Sequence, residues 1–246
     1  YYTVAGWSGS KGSATDFTPE DYYWTMGKCL DIENCIKEHS AVMDKYDPKK
    51  RVALMVDEWG TWWDEEPGTI RGHLYQQNTM RDAFVAALSL NVFHKYTDRI
   101  KTKDDKMVLT PSYYVFQMYN VHQDATYLPI EVQCENKQVR ARMGQDGEQR
   151  TLPMLGATAS KAQDGAVHIS LSNVDLENSN EVTVDLSGLG MKSVAGRILT
   201  CKAITDKNTF EQPDAVKPAD FKGAKLKNGK LTVKMPPMSI VALELR

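Results

Sequence analysis

Glu58 is the residue whose type and position most directly suggest chemistry. It follows the apolar run Val52-Ala53-Leu54-Met55-Val56 through Asp57, and Trp59, Trp62 and Trp63 crowd the loop behind it. So short an apolar run does not make a helix and fits a parallel strand covered on both faces. In α/β layer folds catalytic groups collect at the C-terminal ends of such strands, where loops vary over a rigid sheet. Indole rings pack on the apolar C–H faces of sugars, and a carboxylate beside them can attack or stabilise an anomeric carbon of oxocarbenium character. The same residues also allow a structural arrangement, with Glu58 paired to Arg71 or Arg81 and the tryptophans packed as a lid.

Other reactive residue types form weaker patterns. Gly6-Trp7-Ser8-Gly9-Ser10 misses the G-x-S-x-G nucleophile elbow at its fifth position and lacks a strong strand-to-helix turn around it. Histidines 39, 73, 94, 122 and 168 and the four cysteines show no metal-ligand spacing, so no metal is expected. His39 and His94 fall late in helical stretches, where capping is the usual role. Cys29 and Cys35 fall on different faces of one helix, and Cys134 and Cys201 sit in candidate strands, so no disulfide framework is expected.

The elements that must position Glu58 read as an α/β layer. A short strand end at Tyr1 to Ala5 precedes a Gly/Ser-rich loop. Thr18 as N-cap, Pro19 behind it, and Glu20 and Asp21 in the first turn open a helix that the apolar spacing carries to about Tyr46. Beyond the Glu58 loop a second helix is predicted from about Leu74 to Tyr96 and a third from about Ser112 to His122. Lys101 to Lys106 reads as a solvated turn.

From about Thr126 the pattern becomes all-β. Strands are predicted near 138–143, 153–159, 166–172, 181–186, 194–203, 230–234 and 239–245, with Asp164-Gly165 and Asn228-Gly229 as turns. The composition changes at the same place: all five Trp and all eleven Tyr occur by Tyr127. The expected fold is therefore α/β plus all-β, an incomplete (β/α)8 barrel portion in residues 1–125 followed by a jelly-roll-like β-sandwich in residues 126–246. A closed barrel takes about 250 residues, so part of that layer must lie outside this sequence.

Thirty Lys+Arg against 32 Asp+Glu leave a formal charge of −2, without the basic excess of a nucleic-acid binder. With 41% hydrophobic and 25% charged residues the chain has a globular composition, and no stretch approaches the ~20 apolar residues of a membrane span. It begins without Met, as a processed terminus or a piece of a longer chain does.

The stretch Val52 to Trp62, with Asp57-Glu58-Trp59-Gly60 at its centre, strongly resembles the family 51 glycoside hydrolases, the α-L-arabinofuranosidases. The resemblance extends over Tyr1-Tyr2-Thr3, Pro67-Gly68-Thr69, Leu74 to Ala83, Thr110 to Phe116 and Val121 to Ala125. It implies a retaining double displacement on a (β/α)8 barrel, releasing terminal α-L-arabinofuranosyl residues from arabinose-containing polysaccharides or oligosaccharides. It makes Glu58 the nucleophile, Tyr2 a contact to substrate and nucleophile, and Trp62 a wall of the sugar pocket, and it implies no cofactor; Trp59, crowding the same loop, is by residue type a further substrate-binding aromatic. It also suggests a homo-oligomer. Two family features have no counterpart here: the Asn-Glu motif with the general acid/base, and an Asn-x-Ala-Gln strand expected after Lys101. The alternatives are a non-catalytic carbohydrate-binding or assembly module and another glycosidase of the same clan.

Overall fold

The computed structural model describes residues 1–3, 9–102, 110–140, 149–186, 188–209 and 211–246. The first half carries strand β1 (Tyr2–Thr3), helices α1 (Pro19–Cys29) and α2 (Ile32–Tyr46), strands β2 (Leu54–Val56) and β3 (Gly60–Thr61), helix α3 (Met80–Lys95), strand β4 (Ile100–Thr102) and helix α4 (Pro111–Tyr119). A 3₁₀ turn at Asn120–His122 extends α4. The strands pair in parallel, β1 with β3 and β2 with β4, as a βα layer requires.

Local chemistry sets the helix ends. Thr18 and Asp21 form a reciprocal capping box at α1, with Pro19 in the first turn. The single helix expected from Pro19 to Tyr46 is two, broken at Leu30 and Asp31, where the Asp31 carboxylate is held by Arg150 at 2.6 Å. The helix expected from Leu74 starts instead at Met80, because Thr79 and Asp82 cap it there. Lys101, read as part of a solvated turn, lies on β4 beside Met55 of β2. The strand run at 52–56 is covered on one side only: Val52 is 60% exposed and Met55 53%, since the described residues pack helices against one face of that strand pair and leave the other open.

The second half contributes β5 (Thr126–Leu128), β6 (Asn136–Arg140), β7 (Gln149–Pro153), β8 (Leu155–Lys161), β9 (Val167–Asn173), β10 (Asn180–Asp185), β11 (Val194–Thr200), β12 (Ala219–Asp220), β13 (Ala224–Lys227), β14 (Lys230–Met235) and β15 (Ser239–Leu245). A six-stranded sheet in the order β12-β11-β15-β9-β8-β5 faces a three-stranded sheet β10-β14-β13, and β6-β7 form a separate hairpin. Ile169, Leu171, Leu231, Val233, Val241 and Leu243 close the space between the two sheets. Burying each such side chain contributes about 1.5–3 kcal/mol. The predicted Asn228-Gly229 turn joins β13 to β14, with both residues at positive φ (52° and 73°) and Lys227 opposite Lys230.

The outer face of the six-stranded sheet is where the halves meet. On β9 all residues are buried, although His168, Ser170 and Ser172 alternate with apolar neighbours as a solvent face would. The helices cover that face. His122 bridges Ser160 and Ser170 at 2.7 and 2.8 Å, and His94 bonds Thr158 at 3.1 Å. Gly156 lets α3 approach closely: a Cβ there would stand 2.9 Å from Leu88 and 2.7 Å from Ser172 Oγ. Tyr22 donates to the Val174 carbonyl at 3.1 Å, and one buried cluster runs from Tyr22, Phe84 and Met118 into Val139, Leu152, Leu199 and Ile240. The core therefore crosses the compositional change at Tyr127. No helix among the described residues is long and apolar enough to cross a membrane.

Candidate active site

The parallel pairing of β1 with β3 places Tyr2 opposite Gly60, so Tyr2 stands beside the loop that leaves β2. The Tyr1 nitrogen donates to the Glu58 carbonyl at 2.8 Å, and Gly60 N–H returns to the Tyr1 carbonyl at 3.3 Å. This backbone stitching brings the two side chains together: the Glu58 carboxylate beside the Tyr2 phenol raises the phenol's pKa above its ordinary value. Glu58 is exposed, and no ion pair to it occurs among the described residues. The structural alternative fails for Arg81, which is buried and engaged elsewhere.

Trp62 joins this pair. Its ring meets Tyr2 edge-on, with centroids 5.1 Å apart at 70°. Lys11 Nζ lies 5.9 Å from the centre of the same ring. Carboxylate, phenol and indole thus form one solvent-facing corner at the C-terminal end of β2. That arrangement can hold an apolar sugar face on the indole while the carboxylate addresses a ring carbon.

Trp59 is not brought to this corner. Its ring packs edge-on to Phe93, with centroids 4.9 Å apart, and lies 5.9 Å from that of Phe116, anchoring the strand end on α3 and α4. Trp63 also points inward and is 4% exposed. Its indole N–H donates to Asp82 at 2.9 Å, and its face lies 3.5 Å from the Arg81 guanidinium, which is stacked on Phe17 from the other side at 3.8 Å. Burial pulls the Arg81 pKa down to about 10. Arg81, Asp82 and Thr61 escape a reading based on reactive residue types, although Thr79-x-x-Asp82 is a recognisable capping pattern.

The G-x-S-x-G near-match has Gly6, Trp7 and Ser8 outside the described residues; Ser10 hydrogen-bonds the Asp64 carboxylate. The four cysteines are free thiols. Cys134 and Cys201 lie just outside strands β6 and β11 rather than within them. Among the described residues no group of three or more His, Cys, Asp or Glu is placed to hold a metal. A cavity of about 390 Å³ lies inside the sandwich, lined by Leu128, Ile130, Ala157, Val182 and Val184, away from Glu58.

Comparison with known proteins agrees with the sequence resemblance. A curated intracellular exo-alpha-L-arabinofuranosidase from Bacteroides ovatus is 59% identical, over all of this chain and 50% of that protein. The crystal structure of a GH51 arabinofuranosidase from Xanthomonas axonopodis pv. citri superposes with a TM-score of 0.89 at 42% identity, covering 100% of this chain and 52% of that one. A family 51 alpha-L-arabinofuranosidase from Bifidobacterium longum shares the fold, with a TM-score of 0.76 at 19% identity, over 93% of this chain and 49% of that one. The chain thus spans about half the length of the relatives it matches. The alpha-L-arabinofuranosidase C-terminal domain profile matches residues 57–103 and 101–239, two stretches that meet where a further strand was expected. With that match over most of its length, the chain belongs to the alpha-L-arabinofuranosidase C-terminal domain family.

Proposed function

We propose that this chain carries the nucleophile half of a retaining α-L-arabinofuranosidase acting on arabinose-containing glycans. Residues 1–125 supply the C-terminal part of the catalytic barrel and residues 126–246 the appended sandwich. One observation carries the reading: the Glu58 carboxylate stands beside the Tyr2 phenol, whose ring meets Trp62 edge-on, at the mouth of parallel strands. A carboxylate so placed is a suitable nucleophile toward an anomeric carbon. Its oxygen forms the glycosyl ester as the bond to the leaving alkoxide breaks. A second carboxyl group, contributed from outside these residues and about 5–5.5 Å away, protonates that alkoxide and then activates the water that cleaves the ester. Trp62 holds the furanose face, while Trp59 anchors the strand end on the helices.

The test is a mechanism-based arabinofuranosyl label applied to the full-length protein, followed by peptide mapping. Attachment at Glu58, with loss of both labelling and turnover in Glu58→Gln, is the expected result. Reversible glycan binding without a covalent adduct assigns the chain to a binding module instead. Hydrolysis of aryl glucosides in preference to aryl arabinofuranosides assigns it to another glycosidase.

A further inference from the structure

Asp82 carries more hydrogen bonds than a helix cap needs. At 5% exposure it sits in the first turn of α3, where one carboxylate oxygen accepts from Thr79 N–H at 2.8 Å and Thr79 Oγ1 at 3.1 Å. That oxygen alone completes the capping function. The other oxygen points out of the helix and accepts from Thr61 Oγ1 at 2.7 Å and from the Trp63 indole N–H at 2.9 Å. A buried carboxylate is tolerated only when its lone pairs are used, and here two of its four donors come from the strand and loop that present Trp62.

The preceding residue holds the same indole by its face. Arg81, 1% exposed, stacks on Trp63 and donates to the carbonyls of Ser13 and Ala14 at 2.9 and 3.2 Å. Two successive side chains of one helix turn therefore fix Trp63 at its edge and its face. Thr61 and Trp63 flank Trp62 in sequence, so fixing both leaves Trp62 little freedom except the orientation that meets Tyr2. A recognition ring held within a fraction of an ångström by a supporting layer is what productive sugar binding requires.

We infer that Asp82 is a positioning residue for the sugar site, and that its clamp on Thr61 and Trp63 sets arabinofuranoside affinity through Trp62. The inference rests on the assignment of the Glu58 corner as the sugar site. A purely structural Asp82 would lower stability without changing affinity, and its two halves can be tested separately. Thr61→Val and Trp63→Phe each remove one donor from the outward oxygen and keep the helix cap. Thr79→Ala leaves the outward oxygen untouched.

In the full-length protein, with p-nitrophenyl α-L-arabinofuranoside, Thr61→Val and Trp63→Phe are expected to raise KM about tenfold, the effect of one hydrogen bond to a charged group. Thr79→Ala is expected to lower Tm by about 2–4 °C with KM unchanged. Affinity is measured as well by tryptophan fluorescence titration with the same glycoside in a Glu58→Gln background, where weakened binding must recur. Unchanged affinity in both Thr61→Val and Trp63→Phe overturns the inference. Turnover persisting in Glu58→Gln overturns the nucleophile assignment instead, and the titration still reports on the clamp.

Discussion

The phenol of Tyr2 and the carboxylate of Glu58, far apart in sequence, are neighbours because β1 and β3 pair in parallel with Tyr2 opposite Gly60. The carboxylate in turn raises the phenol's pKa above its ordinary value. Tyr2→Phe removes the phenol hydroxyl while keeping the ring against Trp62. Its expected effect is a roughly 10–100-fold loss of kcat/KM on an aryl arabinofuranoside, matching one hydrogen bond to a charged group. Steady-state kinetics of the full-length protein provides the check, and a loss under twofold counts against a role for the hydroxyl.

The two tryptophans on either side of Gly60 should behave oppositely. Trp59→Ala opens space between Phe93 and Phe116 and is expected to cost about 3 kcal/mol of stability, with affinity retained by the folded fraction. Trp62→Ala leaves the fold intact and raises KM by at least tenfold, the order of one lost stacking surface. Urea unfolding together with KM for both variants separates the roles, and reversal of the pattern would exchange them.

Acid should loosen the contact between helices and sandwich before it titrates ordinary carboxylates. Burial lowers the His94 pKa to about 4; burial, with the neighbouring His94 and His168, lowers that of His122 to about 3. In the unfolded chain both titrate near 6.5, so the unfolded state binds the extra protons. Stability therefore holds above about pH 6.5 and falls as pH drops, by about 1.4 kcal/mol per pH unit for each histidine, until their folded values are reached. Between pH 6.5 and 4.5 the slope of stability against pH should report both residues, and His122→Gln should remove about half of it. Chemical denaturation across that window is the measurement.

Gly156→Ala tests how closely α3 lies on β8. The added methyl meets Ser172 Oγ, Leu88 and Asn91 at 2.7, 2.9 and 3.0 Å, from two different elements that cannot retreat together. The expected loss is about 1–3 kcal/mol, seen as a lower urea midpoint with unchanged slope.

Signals confined to neighbouring residues were legible in the sequence. Thr18 and Pro19 start α1, Asn228-Gly229 closes its hairpin, and Glu58 stands at a strand's end because local preference and tertiary structure agree there. What stayed hidden depends on partners distant in sequence. The break at Asp31 is accompanied by a salt bridge to Arg150, and nothing local announces it. The alternation on β9 correctly indicates a strand, yet its hydroxyl face is covered because His122 and His94 satisfy those hydroxyls from the helices. At the site, residue type drew attention to all three tryptophans, but only packing shows that Trp59 and Trp63 turn inward while Trp62 turns toward Tyr2.

Tyr22 reaching Val174, and α3 seated on Gly156, mean that the serine-rich back of the sandwich has been fitted to one particular set of helices. Exchanging sandwiches between relatives by splicing at residue 125 would graft a surface shaped for other side chains, leaving histidines and hydroxyls facing strangers. Chimaeras should instead inherit the helices and the sheet beneath them from a single parent, with the crossover placed in the outward loops between strands.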